Sequence, residues 1–155
     1  METKRKSYSI FTRRKGYRGA GIALFREEPQ GTFSVLLGKR KYNPGKGQWS
    51  FPGGKAKRKE IPFEAAKREF REETGVNLEE LKPIYISHIR TLIPFFDWDT
   101  FIISTTSHMV FTQVGEFDVL EWVDESVLNR LDLHFGVRQA CKAYRKYRNR
   151  TIEII

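Results

Sequence analysis

The stretch GKAKRKEIPFEAAKREFREETGV, residues 54–76, decides how the rest of the chain is read. Pro62 suits the first turn of a helix, where a missing N–H costs nothing. Gly75 suits the position just past its end, where a left-handed residue closes the last turn. Between them Phe63, Ala66 and Phe70 recur at helical spacing and form an apolar face. Glu69, Glu72 and Glu73 stand at i, i+3 and i+4, which brings three carboxylates within about 5–6 Å of one another. Like charges this close repel. Either Lys67, Arg68 and Arg71 compensate them on a solvated face, or the face takes a divalent cation. Mg²⁺ is a hard ion of that kind, held by carboxylate oxygens and water and shared with substrate phosphates.

Fixed intervals surround the helix. From Gly54, five residues precede Glu60, seven precede Arg68-Glu69-Phe70, one precedes Glu72-Glu73, and one precedes Gly75-Val76. This pattern resembles the signature box of the Nudix hydrolase family at every defined position. A looser resemblance runs from Gly19-Ala20-Gly21 through Leu36-Leu37-Gly38-Lys39-Arg40 and Trp49-Ser50-Phe51-Pro52-Gly53-Gly54 to Glu121-Trp122-Val123. It implies an α/β fold, an α/β/α sandwich with a mixed sheet. It also implies hydrolysis of a nucleoside diphosphate linked to some group X, with Mg²⁺ as cofactor and Mn²⁺ as a substitute. Glu72 and Glu73 would be the main metal ligands and Glu69 a further ligand or base, with Glu60, Arg68 and Gly75 supporting the box. The residues themselves agree with that division. Paired glycines let the backbone approach a metal or phosphate, which makes the Gly54 carbonyl a candidate ligand. A Glu60–Arg68 ion pair would pin the loop to the helix.

Outward from this box, Gly19–Phe25 and Thr32–Gly38 read as strands joined by the turn-like Glu28–Gly31. Trp49–Phe51 reads as a short strand halted by Pro52-Gly53-Gly54. Further strands are expected over Pro83–Thr91, Thr100–Thr105, His108–Thr112 and Val119–Val123. A short helix is expected from Asp124 and a longer basic one over Gly136–Asn149, with Val137, Cys141 and Tyr144 on one side. Strands, one helix, more strands and closing helices fit a mixed sheet between helical layers.

With 155 residues the chain has the length of one domain, expected over 1–155 with a basic N-terminal extension over about 1–16. Its 39% hydrophobic residues, including twelve Phe, six Tyr and three Trp, exclude whole-chain disorder, collagen and coiled coil. A lone Cys141 forms no internal disulfide, and no Cys pair has zinc-ligand spacing, so a reducing compartment fits. No stretch reads as a secretory signal or a membrane span, and a cytoplasmic protein without a membrane partner is expected. The formal charge of +9 makes a polyanion partner plausible.

Water attack on a diphosphate needs a base, drawn in the family from the box or from a later loop. Glu116, six residues before Trp122, resembles the acid that precedes the tryptophan in MutT-type enzymes, and is the candidate second-site ligand and base. Asp118 and Glu121 are its alternatives. Lys39 and Arg40 either face the phosphates or solvate the surface. Residues Pro94–Asp99 read as a loop whose Phe96 and Trp98 offer flat faces to a base, or else pack as core. His88, His108 and His134 match no metal spacing. Pro83 and Pro94 do not sit where the proline of ADP-ribose hydrolases would, and the tyrosine of dinucleoside polyphosphate hydrolases is absent. The segment Gly47–Lys55 resembles MutT-like nucleoside triphosphate pyrophosphohydrolases most. The expected substrate is therefore a (d)NTP or oxidised dNTP, giving NMP and pyrophosphate. An RNA 5′-end pyrophosphohydrolase or another nucleotide-sugar or dinucleotide hydrolase is the alternative within the chemistry. A non-catalytic nucleotide-binding or regulatory module is the alternative outside it. Either a monomer or a homodimer fits.

Overall fold

Eleven residues of apolar and small character, Tyr17–Glu27, form β1, the strand from which the rest is built. The computed structural model describes residues 16–92, 95–112 and 115–153, so residues 1–15 of the expected extension and Pro94 lie outside it. After β1 come β2 (Phe33–Arg40), β3 (Trp49–Ser50), β4 (Gly53–Lys55) and α1 (Pro62–Thr74). The chain continues through β5 (Tyr85–Leu92), β6 (Phe95–Thr105), β7 (Phe117–Asp124), a 3₁₀ turn over Glu125–Arg130 and α2 (Val137–Ile152).

Among the described residues the strands make one mixed sheet in the order β3-β2-β1-β6-β5, with β4 added to β1 and β7 to β2. β1 runs parallel to β6 from Tyr17↔Phe96 to Arg26↔Thr105. It is antiparallel to β2 at one end and to β4, through Ala20↔Gly54, at the other. Period-two alternation divides β1 between the two faces. Ala20, Ile22 and Leu24 pack with Ala65, Ala66 and Phe70 of α1. Ala23 and Phe25 pack with Val137, Ala140, Cys141 and Tyr144 of α2. Helices therefore cover both faces of an α/β sheet, as expected. Phe25 stacks on Tyr144 at 4.0 Å, with Phe33 edge-on to both. Full burial of each such side chain contributes about 1.5–3 kcal/mol.

The structure corrects two local expectations. His108–Thr112 is not a strand: its backbone instead passes α1, where the Thr112 N–H donates to Thr74 O at 3.1 Å. The short strand stops before Pro52 as expected, and Gly53-Gly54 then pair with β1 as part of a separate strand, β4. Phe95–Asp99 is not a loop but the first half of β6, held in the ladder between β1 and β5. No described helix is long and apolar enough to cross a membrane.

Candidate active site

The box folds as a strand, a loop and a helix tied by one guanidinium. Arg68 Nε donates to Glu60 Oε1 at 2.8 Å and Nη2 to Glu60 Oε2 at 3.0 Å, a two-pronged pair, while Nη2 also reaches Lys55 O at 3.2 Å. Glu60 Oε2 accepts the Lys57 N–H at 2.8 Å, so the carboxylate closes its own loop. These donors, Arg68 foremost, hold the Glu60 carboxyl down at about 2. At the other end of α1, Gly75 adopts φ 76°, and its N–H donates to Arg71 O at 2.9 Å. The loop expected to be pinned by Glu60 and Arg68 is pinned by them.

Glu73 is buried, at 7% exposure, although Glu72 on the same helix turn is exposed. Its Oε2 accepts the Gly53 N–H at 2.9 Å, which links α1 directly to β4. Burial pushes its carboxyl up to about 8, and the nearby Glu69 and Glu116 carboxylates push the same way. The Gly53 N–H and Arg40 oppose them. Glu69 lies against Gly54, where an added Cβ would stand 2.5 Å from the carboxyl carbon, so glycine is what admits the acid there. Gly115 passes close to Glu73, where an added Cβ would stand 2.8 Å from its Cγ, and Glu116 beside it acts on the Glu73 carboxyl. Arg68 Nη1 stands between the other two acids, 2.8 Å from Glu69 and 3.4 Å from Glu72.

A wall of parallel rings adjoins these acids. The register Tyr17↔Phe96 and Gly19↔Trp98 sets three rings side by side, with Tyr17 5.5 Å from Phe96, and with Trp98 6.2 Å from each. Trp98 lies over Gly19 and Gly21, and its Nε1 donates to Thr100 Oγ1 at 3.0 Å. Phe135 meets Phe96 edge-on at 5.1 Å, and His134, bonded through Nδ1 to Gln48 at 2.8 Å, backs Phe135. Burial raises the Tyr17 hydroxyl, and Glu69, Glu116 and Glu73 raise it further against Arg40, so the ring wall lies within electrostatic reach of the acid cluster. Arg40 is fixed at its rim, its Nε donating to Pro44 O at 2.8 Å.

The family model for the NUDIX domain matches residues 17–143. The chain belongs to the Nudix family. A Mycobacterium tuberculosis relative, provisionally named 8-oxo-dGTP diphosphatase 3, is 30% identical over 125 residues, 77% of this chain. That match spans 58% of the relative, so the chain covers less than two thirds of its length. A Nudix hydrolase from Mycobacterium smegmatis, RenU, is 25% identical with a TM-score of 0.68, covering 90% of this chain and 88% of that one. The NUDIX domain of Shewanella oneidensis NrtR, solved with ADP-ribose, shares the fold at 17% identity. Its TM-score is 0.74, covering 95% and 98% of the two chains.

Against this Nudix frame, Glu69, Glu73, Glu116 and Arg40 stand within electrostatic reach of one another, Tyr17 joins them to the rings of Phe96 and Trp98, and Glu72 is exposed on the same helix. Lys39 is exposed on β2. The Gly54 carbonyl is turned toward Gly19 of β1, where an added Cβ would come within 2.6 Å of it. Tyr17 and Phe135 were not foreseen. Tyr17 reaches the site only through parallel pairing with a strand 79 residues away, and sequence periodicity carries no trace of that.

The donor set suits a hard divalent ion: carboxylate oxygens from Glu69, Glu72, Glu73 and Glu116, of which Glu73 resists ionising first because it is buried and then because Glu69 and Glu116 stand near it. Among the described residues no three such groups already surround a single point. The Arg68 guanidinium pairs with both Glu69 and Glu72 and offsets their mutual repulsion.

Proposed function

We propose that the chain is a Mg²⁺-dependent Nudix pyrophosphohydrolase that converts a (d)NTP, and an oxidised dNTP in particular, to NMP and pyrophosphate. The observation that carries this reading is the buried Glu73 carboxyl, bonded to Gly53 N–H and set in the field of both Glu69 and Glu116 beside a wall of stacked rings. Glu69, Glu72, Glu73 and Glu116 would hold the ion, with the Gly54 carbonyl as a further ligand. When bound, Mg²⁺ supplies charge neutralisation on the phosphate oxygens and acidifies a water.

The chain's own groups do the rest. Arg40, its Nε committed to Pro44 O, keeps its outer nitrogens for the phosphates. Tyr17, Phe96 and Trp98 present parallel faces for a base. Glu69 or Glu116 would take the proton of the attacking water. The water oxygen bonds to phosphorus, the bridging P–O bond breaks, and its electron pair leaves with the departing phosphate group. The name of the Mycobacterium tuberculosis relative supports the oxidised-dNTP preference.

The test is product release with Mg²⁺ across dGTP, 8-oxo-dGTP, ADP-ribose, a dinucleoside tetraphosphate and 5′-triphosphate RNA. The expected result is NMP and pyrophosphate from a dNTP or its oxidised form, with kcat/KM at least tenfold above the others. A higher rate on ADP-ribose or the dinucleotide would overturn the substrate but keep the chemistry. Folded protein that turns over none of them would overturn both.

A further inference from the structure

The exposed side of α2 carries a row of cations that the nucleotide cleft does not use. Val137, Ala140, Cys141 and Tyr144 bury the helix's inner side. Six Lys and Arg residues and no acid lie between Val137 and Ile152. Two of the six are engaged. Arg148 pairs with Glu27 at 2.9 Å and also donates to Gly31 O at 2.7 Å, and Arg145 reaches Glu125 at 3.5 Å. The remaining four, Arg138, Lys142, Lys146 and Arg150, are all exposed, and among the described residues none forms an ion pair. They are spaced four residues apart.

At 1.5 Å rise and about 100° per residue that spacing sets the charges about 6 Å apart along the axis, in a row about 18 Å long that winds about 120° around the exposed side of the helix. Same-sign pairs at i,i+4 repel, so the row weakens the helix it sits on and builds positive potential outward. The first turn has no acid to complement the helix dipole, and Arg138 adds a cation at that end. A partner with regularly repeated negative charge removes this repulsion along the whole row. Tyr147, 42% exposed and one turn from Arg150, offers a ring face beside the line. The other end of the helix begins just after Phe135, whose ring touches the aromatic wall of the cleft.

We infer that α2 is a docking track for the phosphodiester backbone of a single-stranded nucleic acid. One row of cations engages one strand, and an exposed ring accepts unpaired bases of any kind. A lipid surface is a poorer fit, because the outward side offers only Tyr147 and the terminal Ile152 as large apolar groups to insert. This inference is independent of the proposed nucleotide chemistry, since the row lies outside the acid cluster.

The experiment measures fluorescence anisotropy of labelled single-stranded 12-mers, RNA and DNA, at rising salt. Wild type is compared with K142E/K146E/R150E and with a charge-matched control, R58E/K59E/K82E. The expected result is at least tenfold weaker binding in the α2 variant, a log-log salt slope flatter by about 2, and less than threefold change in the control. Equal losses in both variants would reduce the effect to net charge and overturn the track. So would wild-type binding to duplex or to anionic vesicles as tight as to single strands. Should charge reversal unfold the helix, K142Q/K146Q/R150Q keeps helix propensity and is expected to weaken binding in the same direction. Nucleotide turnover unchanged in the Gln variant separates this site from the cleft, and unchanged oligonucleotide binding in that variant overturns the inference.

Discussion

Tyr17 shows how much one side chain's meaning depends on its neighbours. Alone it is the first residue of a strand; paired with Phe96 it becomes part of a ring wall next to three carboxylates. Tyr17→Ala removes one stacking face without touching the acids. KM for the nucleotide is expected to rise about tenfold with kcat little changed, in line with about 1–3 kcal/mol per stacked base. Steady-state kinetics on the best substrate checks this, and a fall in kcat at constant KM would place Tyr17 in the chemistry instead. Glu60 is the opposite case, a residue whose role its spacing to Arg68 already revealed. Its carboxyl is held at about 2, below the ordinary carboxylate range, so the ion pair's contribution is complete above about pH 4.5 and is lost as pH falls through about 2. Thermal melts of wild type and Glu60→Gln are therefore expected to differ at pH 7 and to converge near pH 2.

Among the elements, α1 and β1 were the most legible. Pro62, Gly75 and the apolar spacing of Phe63, Ala66 and Phe70 act within one helix, and the helix spans Pro62–Thr74 as read. The aromatic run at residues 95–99 was misread because its strand character comes from partners on both sides, β1 and β5, rather than from its own alternation. The interval to Trp122 points to Glu116, yet its proximity to Glu73 depends on how closely Gly115 passes the helix. The closing helix is anchored by Tyr144, which is 1% exposed and stacked on Phe25. Its hydroxyl donates to Glu27 and shares a hydrogen bond with Ser104 Oγ at 2.9 Å. Tyr144→Phe keeps the ring but takes the phenol from Ser104 and leaves Glu27 to Arg148 alone. A loss of about 1–2 kcal/mol is expected in urea unfolding, with secondary structure unchanged by circular dichroism. No measurable loss would mean that water replaces the phenol at both partners.

At the scale of the whole molecule, the sheet separates two tasks. The acids of α1 reach the cleft through β4 and the loop before β7, while α2 closes the opposite face and turns its cations outward. The central claim is that the acid cluster holds the divalent ion and drives cleavage of the diphosphate. Glu73→Gln tests it most directly, because the amide oxygen still accepts the Gly53 N–H and a buried carboxyl that resists ionising is replaced by a neutral group of the same shape. The measurement is the rate of pyrophosphate release from a dNTP with Mg²⁺, beside a thermal melt. The account expects a fall of about 10²- to 10⁴-fold with a melting temperature at or above that of wild type. Turnover within a few-fold of wild type in the folded variant would contradict it.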